Sequence, residues 1–135
     1  MMKTAKNGID IMVCVTSQRS CDKLMARGTE LAAEAGGGAR LHVVHCVETG
    51  RKFMNAAFEA DAIEYLFTAA QLAGAELSLL RAENVDDALV GYALEHDVNI
   101  IILGEGSAGV QPKDHIAIRL QRRLTNVRFD VVPSK

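Results

Sequence analysis

Apolar residues along the chain switch repeatedly between short β-rich runs and longer stretches at helical spacing. Residues 9–16 form the first run, rich in Ile and Val, and it ends abruptly at Ser17, Gln18, Arg19 and Ser20. Such a run suits a strand buried on both faces. Leu24, Gly28, Leu31, Ala32 and Ala35 then recur at helical spacing. A helix is expected to begin near Cys21, capped by Ser17 or Ser20, and to stop at the glycines 36–38. Residues 41–47 read as a second strand and 48–55 as a connecting loop. Ala62, Ile63, Leu66, Ala70 and Ala73 share one face of a second helix that runs to Gly74. Residues 75–80 alternate as a third strand. Asn84 is placed to cap a third helix carrying Val85, Ala88, Leu89, Tyr92 and Ala93 on one face. Asp86 and Asp87 fall in its first turn, where the helix dipole favours them. Residues 98–103 are the most apolar strand and are expected to be central. A glycine-rich loop, 104–113, leads to a fourth helix from about Asp114, with Ile116, Leu120 and Leu124 at helical spacing. Residues 129–132 make a short last strand, closed by Pro133.

Strict alternation of strands and helices predicts right-handed crossovers and a parallel sheet covered on both faces. The expected fold is therefore α/β, a five-stranded doubly wound sheet in three α/β/α layers. In such sheets ligands bind beyond the carboxyl ends of the strands, where neighbouring connections leave on opposite faces. That rule points to the loops after the first and fourth strands. Ser17 to Ser20 and Gly104 to Gly109 are expected to face one another.

Composition narrows this picture. A chain of 135 residues is sized for one domain, 1–135, with 49% apolar and 24% charged residues. With no Trp, four Phe and two Tyr, its core must be aliphatic. A net charge of −2 with mixed signs implies neither nucleic-acid nor membrane partners. Cys14, Cys21 and Cys46 form no Cys-x-x-Cys pair, so reduced thiols and a cytoplasmic location are expected. The basic start is followed by a stretch holding Asp10 that reads as a strand, not a secretory signal. No apolar run reaches the ~20 residues that a bilayer span needs.

The chemistry-bearing candidates are few. Gly104, Gly106 and Gly109 allow close backbone approach, and with Ser107 their amides could form an anion-binding nest, though Glu105 sits among them. Thr16, Ser17 and Ser20 could hydrogen-bond a ribose or phosphate, with helix capping as the alternative use of Ser17 or Ser20. Arg119 and Arg123, four apart on the fourth helix, could draw an anion, or simply form a solvated face with Arg122. Cys21 in a first helical turn would be the reactive thiol, with Cys14 and Cys46 as core residues. His42 and His45 fall on opposite faces of a strand, so no metal set assembles. No nucleophile elbow or paired carboxylates can be assembled either, and the expectation is a protein that is not an enzyme.

Ile11-Met-Val-Cys-Val-Thr-Ser17, followed by a helix with Lys23-Leu24 and Leu31-Ala-Ala33, resembles the opening of the universal stress protein family. The likeness is closer to the stress-protein-like cytoplasmic domain of KdpD-type potassium sensor kinases. It extends over 43–49, 71–77 and 84–104, and so covers about 9–133 in order. The resemblance implies an adenine nucleotide alpha hydrolase-like fold with strand order 3-2-1-4-5. It implies a homodimer through the last strand, here Val131 and Val132, and a site for ATP, AMP or another adenine nucleotide. Nucleotide-binding members place an Asp at the end of strand one and a G-2x-G-9x-G-S/T signature after strand four. Here Thr16 stands in place of the Asp, Gly106 and Gly109 satisfy the first half of the signature, and Arg119 replaces the next glycine. His42, Val43 and Cys46 stand where related sensor domains hold cyclic di-AMP, so that ligand is not carried over. The reading is a regulatory domain that binds a nucleotide or small anionic ligand weakly and acts through a dimer or a partner. The alternatives are a ligand-independent interaction module and, third, a low-activity nucleotide hydrolase.

Overall fold

The computed structural model describes residues 8–15, 18–36, 39–48, 56–104 and 116–133. Strand β1 (Asp10–Cys14), helix α1 (Gln18–Glu34), β2 (Arg40–Glu48), α2 (Ala56–Leu72), β3 (Glu76–Ala82), α3 (Val85–Glu95), β4 (Ile100–Gly104), α4 (Ile116–Arg123) and β5 (Arg128–Val132) follow in that order. The five strands form one sheet in the order β3-β2-β1-β4-β5, and every neighbouring pair is parallel. The expected architecture is the observed one.

Two apolar cores lie on opposite faces of the sheet, and strand alternation divides them. Ile11, Val13, Val15, Leu41, Val43, Ile100 and Ile102 point to the face covered by α1 and α2, where they meet Leu24, Leu31, Leu66 and Ala70. Met12, Cys14, Val44, Ile101 and Leu103 point the other way, onto α3 and α4, through Leu89, Tyr92, Ala117 and Leu120. Strand β4 is interior, between β1 and β5, as its unbroken apolar character requires.

Helix ends follow local chemistry. Asn84 has extended backbone angles, and its side chain accepts a hydrogen bond from the Asp87 amide at 2.9 Å, the N-cap expected from sequence. Gly74 ends α2 with φ +71, while the Ala75 amide reaches back to the Ala70 carbonyl, a glycine-dependent left-handed stop. Helix α1 starts at Gln18, three residues earlier than the periodicity suggests. Ser20 therefore lies inside the helix and is not its cap. Gln18 and Arg19 are good helix formers, and apolar spacing marks only where a helix meets its core.

The buried polar residues among the described ones are Asp10 and His42. Asp10, at the start of β1, accepts from Arg40 Nε and Nη2 at 3.0 and 3.1 Å and from His42 Nε2 at 2.8 Å. This cluster lies at the amino-terminal end of the sheet, the end opposite the expected ligand edge.

Candidate functional site

Strand β1 hands on to α1 on one face, and β4 hands on to α4 on the other. The crossovers therefore part between β1 and β4, the neighbours at the sheet's centre. Their register runs as far as Val13 beside Ile102, just before the two strands end at Cys14 and Gly104. The two strand ends that sequence reasoning singled out are thus adjacent. This is the switch point at which open α/β sheets bind ligands.

Of the expected site residues, Gly104 is described, as the last residue of β4. A Cβ built on it meets no described residue within 4 Å, and its φ lies outside the left-handed region. Neither backbone conformation nor packing against the described residues calls for glycine there. Gly104 itself is partly buried. Ser20 lies in the first turn of α1. Thr16, Ser17, Gly106, Ser107 and Gly109 lie outside the described residues.

One residue at this edge escaped the sequence reading. His45 lies near the carboxyl end of β2 on the face of Leu41 and Val43, and its Nδ1 is 2.8 Å from the Val15 carbonyl. A carbonyl can only accept, so Nδ1 carries a proton and donates it to that oxygen. The available signal was a histidine interrupting an apolar alternation just as its strand ends. His42 projects to the other face, as the spacing predicts, and bonds Tyr92.

The other candidates are engaged elsewhere. Arg119 forms a forked pair with Asp86 at 2.7 and 3.1 Å, and Arg123 bonds Asp87 at 2.7 Å. These arginines tie α4 to the first turn of α3, so their charge is already answered by protein carboxylates. Cys14 is buried, and burial, then the neighbouring Cys46, pushes its thiol up to about 12. It is a core residue, not a nucleophile. Val131 is exposed on the edge strand β5, whereas Val132 packs against the α1/α2 core. Among the described residues no group of three or more His, Cys, Asp or Glu could hold a metal ion. None of their helices is long and apolar enough to cross a membrane.

No protein-family model matches the sequence, and no curated protein matches it. Solved structures do match. A universal stress protein in complex with cAMP aligns over 96% of this chain and 100% of its own, with TM-score 0.69 and 17% identity. A universal stress family protein from Burkholderia pseudomallei aligns over 96% and 99%, with TM-score 0.66 and 21% identity. The universal stress protein from Archaeoglobus fulgidus in complex with dAMP aligns over 95% and 98%, with TM-score 0.59 and 21% identity. Topology, layer arrangement and these alignments agree: the chain has the three-layer α/β/α fold of the universal stress proteins.

Proposed function

We propose that this chain is a cytoplasmic regulatory domain of the universal stress type that binds an adenine nucleotide, or another small anionic ligand, weakly at the joint edge of β1 and β4. The observation that carries the reading is the switch point between the neighbouring strands β1 and β4, whose following helices lie on opposite faces of the sheet. The cAMP and dAMP complexes of its fold relatives support an adenine ligand. In this reading Thr16, Ser17 and Ser20 bond the ribose or a phosphate, and the amides of Gly104, Gly106 and Gly109 with Ser107 form the anion nest. Thr16 in place of Asp, and Arg119 in place of the next glycine, make the grip weak. No residue is assigned a catalytic role, and the likeness to KdpD-type sensor domains is consistent with signal transduction through a partner.

Thermal denaturation with ATP, AMP and cyclic di-AMP tests the site. Ligand at about 100-fold over its Kd adds roughly 2.7 kcal/mol of stability. An adenine mononucleotide should raise Tm, and Gly106→Val or Ser107→Ala should remove the rise. No rise with any nucleotide overturns the reading. Exposed Val131 on the edge strand favours a second reading, a ligand-independent interaction module that pairs as a homodimer through β5. Light scattering of Val131→Lys, expected to be monomeric where the native chain is dimeric, tests that pairing. Phosphate release from ATP would instead establish a hydrolase.

A further inference from the structure

Four elements contribute one polar side chain each to a continuous hydrogen-bonded chain at the amino-terminal end of the sheet. Asp10 from β1 meets His42 Nε2 at 2.8 Å, His42 Nδ1 from β2 meets the Tyr92 hydroxyl at 3.0 Å, and Tyr92 from α3 meets Ser78 Oγ on β3 at 3.2 Å. The residues are 10, 42, 78 and 92, brought together by strand register and not by sequence proximity. Burying polar groups is costly unless each is satisfied, and a network of this kind holds its place only when complete. Here it is complete: no buried side-chain nitrogen or oxygen among the described residues lacks a partner.

The donor and acceptor roles have two solutions. The Asp10 carboxylate already accepts two bonds from Arg40, so His42 Nε2 must donate to it. In the neutral ring Nδ1 is then an acceptor. Tyr92 donates to Nδ1, and Ser78 donates to Tyr92. Adding a proton to Nδ1 turns that atom into a donor. Tyr92 must now accept from the imidazolium and swing its own proton to Ser78 Oγ, which a hydroxyl can accept. The three contacts are kept in both states while the direction of the His42–Tyr92–Ser78 bonds reverses, and the Ser78 hydroxyl proton, no longer given to Tyr92, turns to water at this half-buried position. A core hydrogen bond between fixed groups would break on protonation; this one inverts.

We propose that the Asp10–His42–Tyr92–Ser78 chain is a proton-operated latch, in which uptake of one proton by His42 reverses the hydrogen bonds that tie α3 to the edge strand β3. An imidazolium at His42 would face Asp10 from β1, Arg40 on its own strand and Glu76, its register partner on β3. From α3 and its cap it would face Glu95, which acts electrostatically on Tyr92, and the His96 ring, 5.3 Å from His42 and stacked on Tyr92 at 4.1 Å. Two histidines and a tyrosine in ring contact are therefore held between the sheet and the end of one helix, away from the β1/β4 edge. The device does not depend on what that edge binds.

Nuclear magnetic resonance of the full chain, labelled with nitrogen-15 and carbon-13, reads the latch directly. Spectra are collected from about pH 8 to pH 5, the range over which histidines change charge, with the amide spectrum reporting the fold. At the alkaline end the His42 nitrogens should show the proton on Nε2. On acidification the His42 ring, the Tyr92 ring carbon bearing oxygen and the Ser78 β-carbon should move together with one midpoint. Tyr92→Phe should leave His42 titrating against Asp10 while Ser78 stops responding. If that variant does not fold, Ser78→Ala serves, and Tyr92 should still follow His42. The proposal is overturned if His42 keeps one charge state while the chain stays folded. It is equally overturned if His42 titrates while Tyr92 and Ser78 stay put, or if Ser78 responds unchanged in Tyr92→Phe.

Discussion

Two glycines in the middle of helices should respond to the same substitution with opposite sign. Gly28 on α1 is buried against the sheet: a Cβ placed there would lie 2.8 Å from Leu41 Cδ1, 3.0 Å from Val13 Cγ2 and 3.6 Å from Ile102 Cδ1. Gly91 on α3 is exposed, and a Cβ there meets nothing within 4 Å. Alanine in a helix interior is worth about 1 kcal/mol over glycine, so Gly91→Ala should stabilise the protein by about that amount. Gly28→Ala gains the same term but inserts a methyl group where none fits. Val13 is fully buried and stiff at its β-carbon, and Leu41 is held inside the same core, so neither can simply swing away. Overpacking of this kind costs about 1–3 kcal/mol. The net for Gly28→Ala is a loss of about 1 kcal/mol, leaving the two variants about 2 kcal/mol apart. At about 4 °C per kcal/mol for a domain of this size, their Tm values should differ by about 8 °C. Thermal melts by circular dichroism, with urea titrations to confirm an unchanged m-value, measure this. If Gly28→Ala stabilises as much as Gly91→Ala, α1 does not lie against the sheet as described.

Other expectations follow from single contacts. Asn84→Ala should cost about 1 kcal/mol by leaving the Asp87 amide uncapped, and Asn84→Asp should retain most of that, both read from denaturant midpoints. Cys14 ionises more readily unfolded than folded, since burial raises its thiol from 9.0 to about 12. Stability should therefore fall as pH rises above about 9, with a slope approaching ~1.4 kcal/mol per pH unit, and Cys14→Ala should flatten that alkaline limb in urea titrations. An alkylating reagent at pH 8 should leave Cys14 unmodified in the folded protein, a point that peptide mass spectrometry settles. Arg119→Ala should cost only about 0.5 kcal/mol, and less in high salt, because its pair with Asp86 is largely exposed; a loss of several kcal/mol would mean the pair holds α4 in place.

Much of the scaffold was legible in the order of residues because its signals are local. Period-two and helical apolar spacing located all nine elements, and Asn84 and Gly74 announced a start and a stop through backbone chemistry that needs no partner. Boundaries were less secure. Ser20 reads as a cap until Gln18 and Arg19 extend α1 past it, since the core-facing stripe begins later than the helix itself. The place of the topological switch point was legible too, because alternation implies crossovers, and these part between β1 and β4. The strand order itself came from family resemblance, not from periodicity.

Contacts between distant residues could be decided only by tertiary structure. Alternation puts His42 and His45 on opposite faces, but it does not say that one meets Asp10 and Tyr92 while the other meets Val15. Nor does a helical repeat reveal that Arg119 and Arg123 are answered by Asp86 and Asp87, the acids that the helix dipole alone seemed to explain. By itself the sequence determined which segments are strands and helices, which face of each is apolar, and hence the layered parallel sheet. Strand register and helix docking determined which polar groups touch, because a hydrogen bond depends on positions known to a fraction of an ångström, and residues 10, 42, 78 and 92 acquire them only once three strands and a helix have packed.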